Sequence, residues 1–323
     1  MRIFRGLDEP DLKRTERVLA VGAFDGVHRG HQRLLAHVCR TAADYGVESS
    51  IMALEPIPAQ VFRSGGSRNV RLTLADERER ELTKYCVDSA IVIDFNERFR
   101  NLSALEFARD VLVGRLGVVA LIASKTHTFG RRAEADVRRI AELGMDLGFE
   151  VHVLPPILVG GVQINSTQIR RLIGEGDVVG ARDRLGRFFD LAGEVVHGHG
   201  IGKGIGFPTA NLRPTPEKLV PGDGVYACAA RVEAPGTNPG PWLPAAVNVG
   251  ATPTVDASRR TLEAHLLDVE DLNLDGKSVR LVFLRRLRDI RKFGDVQALA
   301  AQIGRDVELV RDEYQRAHDE LWD

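Results

Sequence analysis

The sequence predicts an α/β chain in two domains, a doubly wound parallel sheet followed by an antiparallel barrel or sandwich closed by a terminal helix. Three observations carry this expectation. Short apolar runs alternate with amphipathic stretches of helical period up to about residue 187. After it come short β-like runs separated by Gly- and Pro-rich connections. Helical spacing then returns over 295–322.

In the first half the strand candidates are 18–24, 50–54, 89–93, 118–123 and 150–154. Amphipathic stretches at 31–45, 74–85, 104–116 and 133–147 lie between them. Strands separated by helices of this length read as βαβ units, which pair in parallel. Ligands of such sheets bind beyond the carboxyl ends of the strands. In the second half the strand candidates are 189–197, 224–232, 245–249, 262–268 and 278–284. Several of them alternate, as a half-buried antiparallel strand does. The change of pattern places a boundary near 183–187, giving domains 1–186 and 187–323. No internal repeat is visible.

Composition excludes several classes. Of 323 residues 44% are apolar and 28% charged, as in a globular protein, and the formal net charge of −1 supplies no field to recruit nucleic acid or an anionic membrane. Phosphate binding must therefore come from local geometry. No run of about 18 apolar residues spans a bilayer, and the charged opening MRIFRGLDEP does not resemble a signal peptide. We expect a cytoplasmic protein, monomeric or weakly homo-oligomeric, that acts on small molecules. Cys39, Cys86 and Cys228 are scattered without a CxxC pair, and read as buried apolar fillers rather than as a disulfide or zinc framework.

The segment VLAVGAFDGVHRGHQRLL runs a buried strand into glycines and then into a helix. Asp25 and Gly26 suit a turn, while Gly22 and Gly30 permit close approach of backbone to a ligand. His28 and His31, three apart, share one face of the first helical turn. A helix N-terminus offers free N–H groups to phosphate, and two imidazoles beside it can donate to charge that grows during transfer. Downstream, INSTQIRRL places Ser166 and Thr167 where they can cap a helix and Arg170 one turn in, able to grip a phosphate bidentately.

GAFDGVHRGH, followed in order by INSTQIR, resembles the HxGH and ISSTxxR signatures of the nucleotidylyltransferase superfamily. The form is that of bacterial bifunctional riboflavin kinase/FMN adenylyltransferases. The resemblance implies a Rossmann-like first domain in which His28 and His31 stabilise ATP phosphates during adenylyl transfer. Gly22, Phe24, Asp25, Gly30, Ser166, Thr167 and Arg170 would complete the nucleotide site. Leu54-Glu55-Pro56-Ile57-Pro58 resembles the family's P-x-P loop and Phe95–Phe99 its FNxxF turn. Where the family carries G-x-[DN]-F-x-F-G, this chain reads Ser124-Lys125-Thr126-His127-Thr128-Phe129-Gly130. That loop and the proline loop imply flavin contacts at Pro56, Pro58, Thr126, His127 and Phe129. Loss of an aromatic face weakens stacking on a planar ring. The altered loop leaves an alternative, a riboflavin kinase whose first module is silent, regulatory, or specific for another flavin-like molecule.

The second half holds GHGIGKGIGFPTAN. Glycines at 200, 202, 204 and 206 bare the backbone N–H groups to wrap a phosphate, and Lys203 adds charge. Thr209 and Asn211 offer neutral oxygens two positions apart, suited to Mg²⁺, which needs few protein ligands. Glu263 shares a strand face with His265 and Leu267 and can accept a proton from an alcohol. GFPTANL and ExHLLD resemble the riboflavin kinase signatures. They imply a kinase barrel in which Gly200, Gly202, Lys203, Gly204, Gly206 and Pro208 bind nucleotide, Thr209 and Asn211 hold magnesium, and Glu263 is the catalytic base. His265 reads as structural. NVGATPT, from Asn248, resembles a shaping turn near the site, and Arg291-Lys292-Phe293 resembles a basic segment that gives Arg291 a flavin contact. The implied co-substrate is ATP with Mg²⁺, and the implied substrates are riboflavin and FMN.

Overall fold

The structure is a computed structural model that describes the chain apart from residues 63–70, 198–206, 234–237, 252–259, 270–273, 275 and 323. It divides into two compact units, Met1–Ser166 and Thr167–Asp323.

The first unit holds β1 (Arg2–Arg5), β2 (Arg17–Gly22), α1 (Arg29–Tyr45), β3 (Glu48–Glu55), α2 (Pro58–Phe62), α3 (Ala75–Leu82) and β4 (Ser89–Asp94). There follow α4 (Glu97–Arg100), α5 (Ala104–Glu106), a π-helical run over Phe107–Leu116, and β5 (Val118–Ser124). Next come β6 (Thr128–Phe129), β7 (Ala135–Asp136), α6 (Val137–Leu147), β8 (Glu150–Leu154) and the ribbon β9 (Leu158–Val159) and β10 (Val162–Gln163).

Six strands form one parallel sheet in the order β1-β4-β3-β2-β5-β8, the doubly wound arrangement the periodicity predicts. Its inner strands β4, β3, β2 and β5 are largely apolar because both faces are covered. Along β2, Leu19 and Val21 enter one core with Met52, Leu121, Phe107 and Ile140. Val18 and Ala20 enter the opposite core with Ile51, Ile122, and Leu34, Leu35 and Val38 of α1. The edge strand β1 was not foreseen, because the charged residues around Ile3 and Phe4 hide its short alternation.

The second unit opens with α7 (Ser166–Glu175) and α8 (Val178–Leu185), α7 beginning at the last residue of the first. A closed six-stranded barrel follows, ordered β11-β12-β15-β14-β13-β16. Its strands are β11 (Phe189–Val196), β12 (Ala210–Pro214), β13 (Gly224–Glu233), β14 (Trp242–Ala251), β15 (Arg260–Leu266) and β16 (Ser278–Arg288). Closure leaves no free sheet edge and selects the barrel over the sandwich. The final helix, α9 (Val296–Trp322), packs Val310 against Ala227, Ala246 and Leu267, and Ala317 against Ala229, Val282 and Leu284. Its Tyr314 hydroxyl donates to the Trp242 carbonyl at 3.0 Å. The expected closing helix is therefore present.

One expectation about the cysteines is overturned. Cys228 is buried and free, as expected, and burial pushes its thiol pKa well up. Cys39, half-buried on α1, and the exposed Cys86, before β4, instead form a disulfide across Cα atoms 6.2 Å apart. The residues lie 47 apart in sequence, a distance that only the fold closes.

Candidate functional sites in the two units

In the first unit, β2 delivers the chain into a strained loop. Phe24 and Val27 have φ values of 50° and 40°, and Gly26 has φ 83°. Only tertiary contacts hold non-glycine residues in such a conformation, and those contacts are visible. Phe24 is wholly buried. The buried carboxylate of Asp25 accepts hydrogen bonds from Leu72 N at 3.0 Å, Thr73 N at 3.1 Å and the Thr73 hydroxyl at 3.3 Å. The Ser166 hydroxyl donates to the Asp25 carbonyl at 2.9 Å. The carboxylate of Asp25 thus docks the 72–73 segment, and its bearing on a phosphate runs through the shape of the loop.

Two arginines that sequence reasoning missed complete this frame. Arg71 and Arg78 are almost fully buried. Arg71 pairs with both oxygens of Glu55, at 2.7 and 2.9 Å, and Arg78 reaches the same carboxylate at 2.8 Å. Arg78 also donates to the carbonyls of Ala23 at 2.9 Å and Leu54 at 3.1 Å. The ends of β2 and β3 are thereby tied together. Pro56 follows Glu55 directly and is exposed, and Pro58, two residues further on, is half-buried at the start of α2.

His28 is the N-cap of α1, its Nδ1 accepting from His31 N at 3.3 Å. In the neutral ring that bond places the proton on Nε2. The rings of His28 and His31 stack 3.7 Å apart at 15°. A Cβ at position 30 would stand 3.0 Å from the His28 ring, so glycine there leaves the cap its room. Burial, with His28 and His127 nearby, holds the His31 pKa well below the usual imidazole range. His31 is therefore neutral near pH 7, and its Nδ1 is buried without a hydrogen-bond partner.

The loop after β5 has Lys125 and Thr126 exposed and His127 half-buried. Phe129 is core, its ring 6.3 Å from that of Phe107. The FNxxF turn is structural, with Asn96 capping α4 by accepting from Phe99 N at 3.0 Å. Of the INSTQIR residues, Ser166 belongs with the first unit and Thr167 and Arg170 lie on α7 in the second.

In the barrel, Pro208 and Thr209 are exposed just before β12. Asn211 sits within β12. Directly opposite Asn211 on β15 is Glu263, and opposite Glu263 on β14 is Asn248. Ala210, Leu212, Leu262 and Ala264 are buried inside the wall, so by alternation Asn211, Glu263 and Asn248 share its outer face. A carboxylate between two carboxamides, with Thr209 two residues before Asn211, is a set of hard oxygen donors that fits Mg²⁺ and an alcohol. His265 is structural, its Nδ1 lying 2.7 Å from the Pro208 carbonyl. The side chain of Arg291 hydrogen-bonds Gln302 of α9 and lies 4.8 Å from the Phe293 ring. Gly200, Gly202, Lys203, Gly204 and Gly206, with Thr252, Pro253 and Thr254, lie outside the described residues.

Comparison with known proteins agrees with both halves. The FAD synthetase family model matches residues 11–168, and the riboflavin kinase model matches 185–314. A bifunctional riboflavin kinase/FMN adenylyltransferase of Escherichia coli (strain K12) is 36% identical over 307 residues, covering 95% of this chain and 96% of that protein. This chain belongs to the bifunctional riboflavin kinase/FMN adenylyltransferase family. The Pseudomonas fluorescens member is 33% identical over 312 residues, covering 96% of this chain and 97% of its own. A solved structure described as a macrolide-efflux protein from Streptococcus pneumoniae superimposes with a TM-score of 0.85 at 27% identity, over 96% of this chain and 99% of that one. Among the described residues no helix is long and apolar enough to cross a membrane.

Proposed function

We propose that the barrel module phosphorylates the 5′-hydroxyl of riboflavin from MgATP, and that the first module transfers AMP from MgATP to the FMN produced. The functional division lies at residues 186 and 187, in keeping with family matches that end at 168 and resume at 185. The register of Glu263 against Asn211 carries the kinase reading. Glu263 accepts the hydroxyl proton while that oxygen bonds to the γ-phosphorus and the bond to ADP breaks. Thr209 and Asn211 would hold the magnesium ion, which offsets charge on the phosphates when bound. The glycines 200, 202, 204 and 206, Lys203 and Pro208 would wrap the nucleotide, and Arg291 would face the flavin.

In the first module an FMN phosphate oxygen bonds to the α-phosphorus of ATP and pyrophosphate leaves. His28 and His31 donate to the phosphates as charge builds on the leaving group. Thr167 and Arg170, inside α7 rather than capping it, would offer a hydroxyl and a cation to a phosphate. Gly22, Phe24, Asp25, Gly30 and Ser166 shape the loop, while Pro56, Pro58 and Thr126 belong to the flavin side; Phe129, expected there, is instead buried in the core against Phe107 and anchors the loop. The protein works as a monomer or weak homo-oligomer in the cytoplasm and takes no nucleic acid.

The test is chromatography of products from riboflavin, FMN and a deazaflavin, each with MgATP. Wild-type protein should yield FMN and FAD from riboflavin. Glu263→Gln should lower FMN formation by about 10²-fold or more, the usual worth of a general base, while still converting added FMN to FAD. Near-wild-type FMN output from Glu263→Gln would remove the base. Turnover of the deazaflavin in preference to FMN would favour the reading that the altered 124–130 loop serves another flavin-like substrate.

A further inference from the structure

We propose that His127 is a third imidazole of the nucleotide site, donating from Nδ1 to the same polyphosphate that His31 meets. The inference rests on reading the first module as an adenylyltransferase. It departs from the sequence expectation, in which His127 replaces an aromatic residue on the flavin side.

The topology places the residue. β5 lies next to β2 in the parallel sheet, so the loops leaving their carboxyl ends are neighbours, and the β2 loop carries His28 and His31. The proline loop with Pro56 and Pro58 leaves β3, on the other side of β2. The ring is held rather than free, tilted 41° against Phe129 with centroids 5.4 Å apart. Phe129 is in turn fixed in the core against Phe107.

The chemistry points to an anion. His127 Nδ1 and His31 Nδ1 are both shut away from solvent, and neither has a hydrogen-bond partner. Buried polar atoms are almost always satisfied, and an exception calls for a missing partner. His127 lies close enough to His31 to depress its pKa, and burial lowers the pKa of His127 too. An arriving polyphosphate supplies charged oxygens that accept hydrogen bonds from both neutral rings. A flavin ring edge would satisfy His127 but leave His31 unpaired.

The experiment compares wild type with His127→Phe, which restores an aromatic ring, and His127→Gln, which keeps a donor. Adenylylation of FMN is followed at varied MgATP and varied FMN, and pyrophosphate is titrated calorimetrically into each protein. We expect His127→Phe to raise KM for MgATP and to weaken pyrophosphate at one site, each by about tenfold or more, the worth of one hydrogen bond to a charged acceptor. KM for FMN should stay within about twofold, and His127→Gln should recover part of the loss. The site concerned is the one removed in His28→Ala/His31→Ala protein. A raised KM for FMN with MgATP and pyrophosphate unaffected would overturn the proposal and return His127 to the flavin side. If wild type makes no FAD, the adenylyltransferase reading fails, and the pyrophosphate titration still decides whether His127 binds phosphate. Unchanged pyrophosphate affinity in His127→Phe would then sink it.

Discussion

Asp25 shows how a residue next to a catalytic signature can act through the backbone. Its carboxylate satisfies two amide N–H groups and a hydroxyl of the 72–73 segment. The Gly26 N–H donates to the same Thr73 hydroxyl at 3.0 Å. Truncation to alanine would leave those donors facing a buried void, at about 1–3 kcal/mol for each unsatisfied group. Asp25→Ala protein should therefore lose about 3 kcal/mol or more from the first unit in chemical denaturation. FAD formation should fall with it, and FMN formation in the barrel should persist. An unchanged denaturation midpoint would show that the loop holds itself without Asp25. The HxGH pattern was legible because its function is local: a strand end, a glycine turn and a helix mouth. The burial of Asp25 was not, because its partners lie far along the chain.

At the scale of elements, the barrel wall brings together the residues of the proposed kinase site from three neighbouring strands. β12 supplies Asn211, β15 Glu263 and β14 Asn248 in one row. Asn248 lay near the end of the 245–249 strand candidate, in a motif that resembled a shaping turn, and nothing in its own neighbourhood distinguishes it from any strand asparagine. Register alone brings it beside the carboxylate, at the spacing where directly opposed side chains interact. Asn248→Asp would put a second carboxylate there, and two adjacent carboxylates disfavour carrying both charges. The acid limb of the pH profile for riboflavin phosphorylation should move to higher pH, by about one unit. Asn248→Ala should change the rate without moving that limb. A profile unmoved by the aspartate would place Asn248 outside the electrostatic reach of Glu263.

The whole molecule adds a covalent feature that composition argued against. Cys39–Cys86 joins α1 to the segment preceding β4 and closes a loop across 47 residues. By the chain-entropy account such a loop contributes about 4 kcal/mol to the stability of the unit that contains it. Reductant should lower the denaturation midpoint of the first unit and leave the barrel, whose Cys228 is buried and free, unaffected. Equal midpoints with and without reductant would mean the pair contributes nothing. Cytoplasmic thiols are ordinarily kept reduced, so the same measurement bears on the expected compartment.

The sequence by itself determined the kinds of architecture and the chemical inventory, since both are written in short-range pattern. Apolar runs between amphipathic helices dictate a sheet buried on both faces, and alternation broken by Gly and Pro dictates antiparallel strands. Paired imidazoles, a Thr–Asn hook and a strand glutamate mark phosphate chemistry wherever the fold sets them. Only the tertiary structure decided which of these side chains meet. Strand register chose Asn211, Glu263 and Asn248 as one row, and sheet order set the loop of His127 next to the loop that leaves β2. Buried guanidinium groups at Arg71 and Arg78 locked the loops in place. Such outcomes turn on pairing and packing between residues far apart in the chain, which local periodicity does not encode.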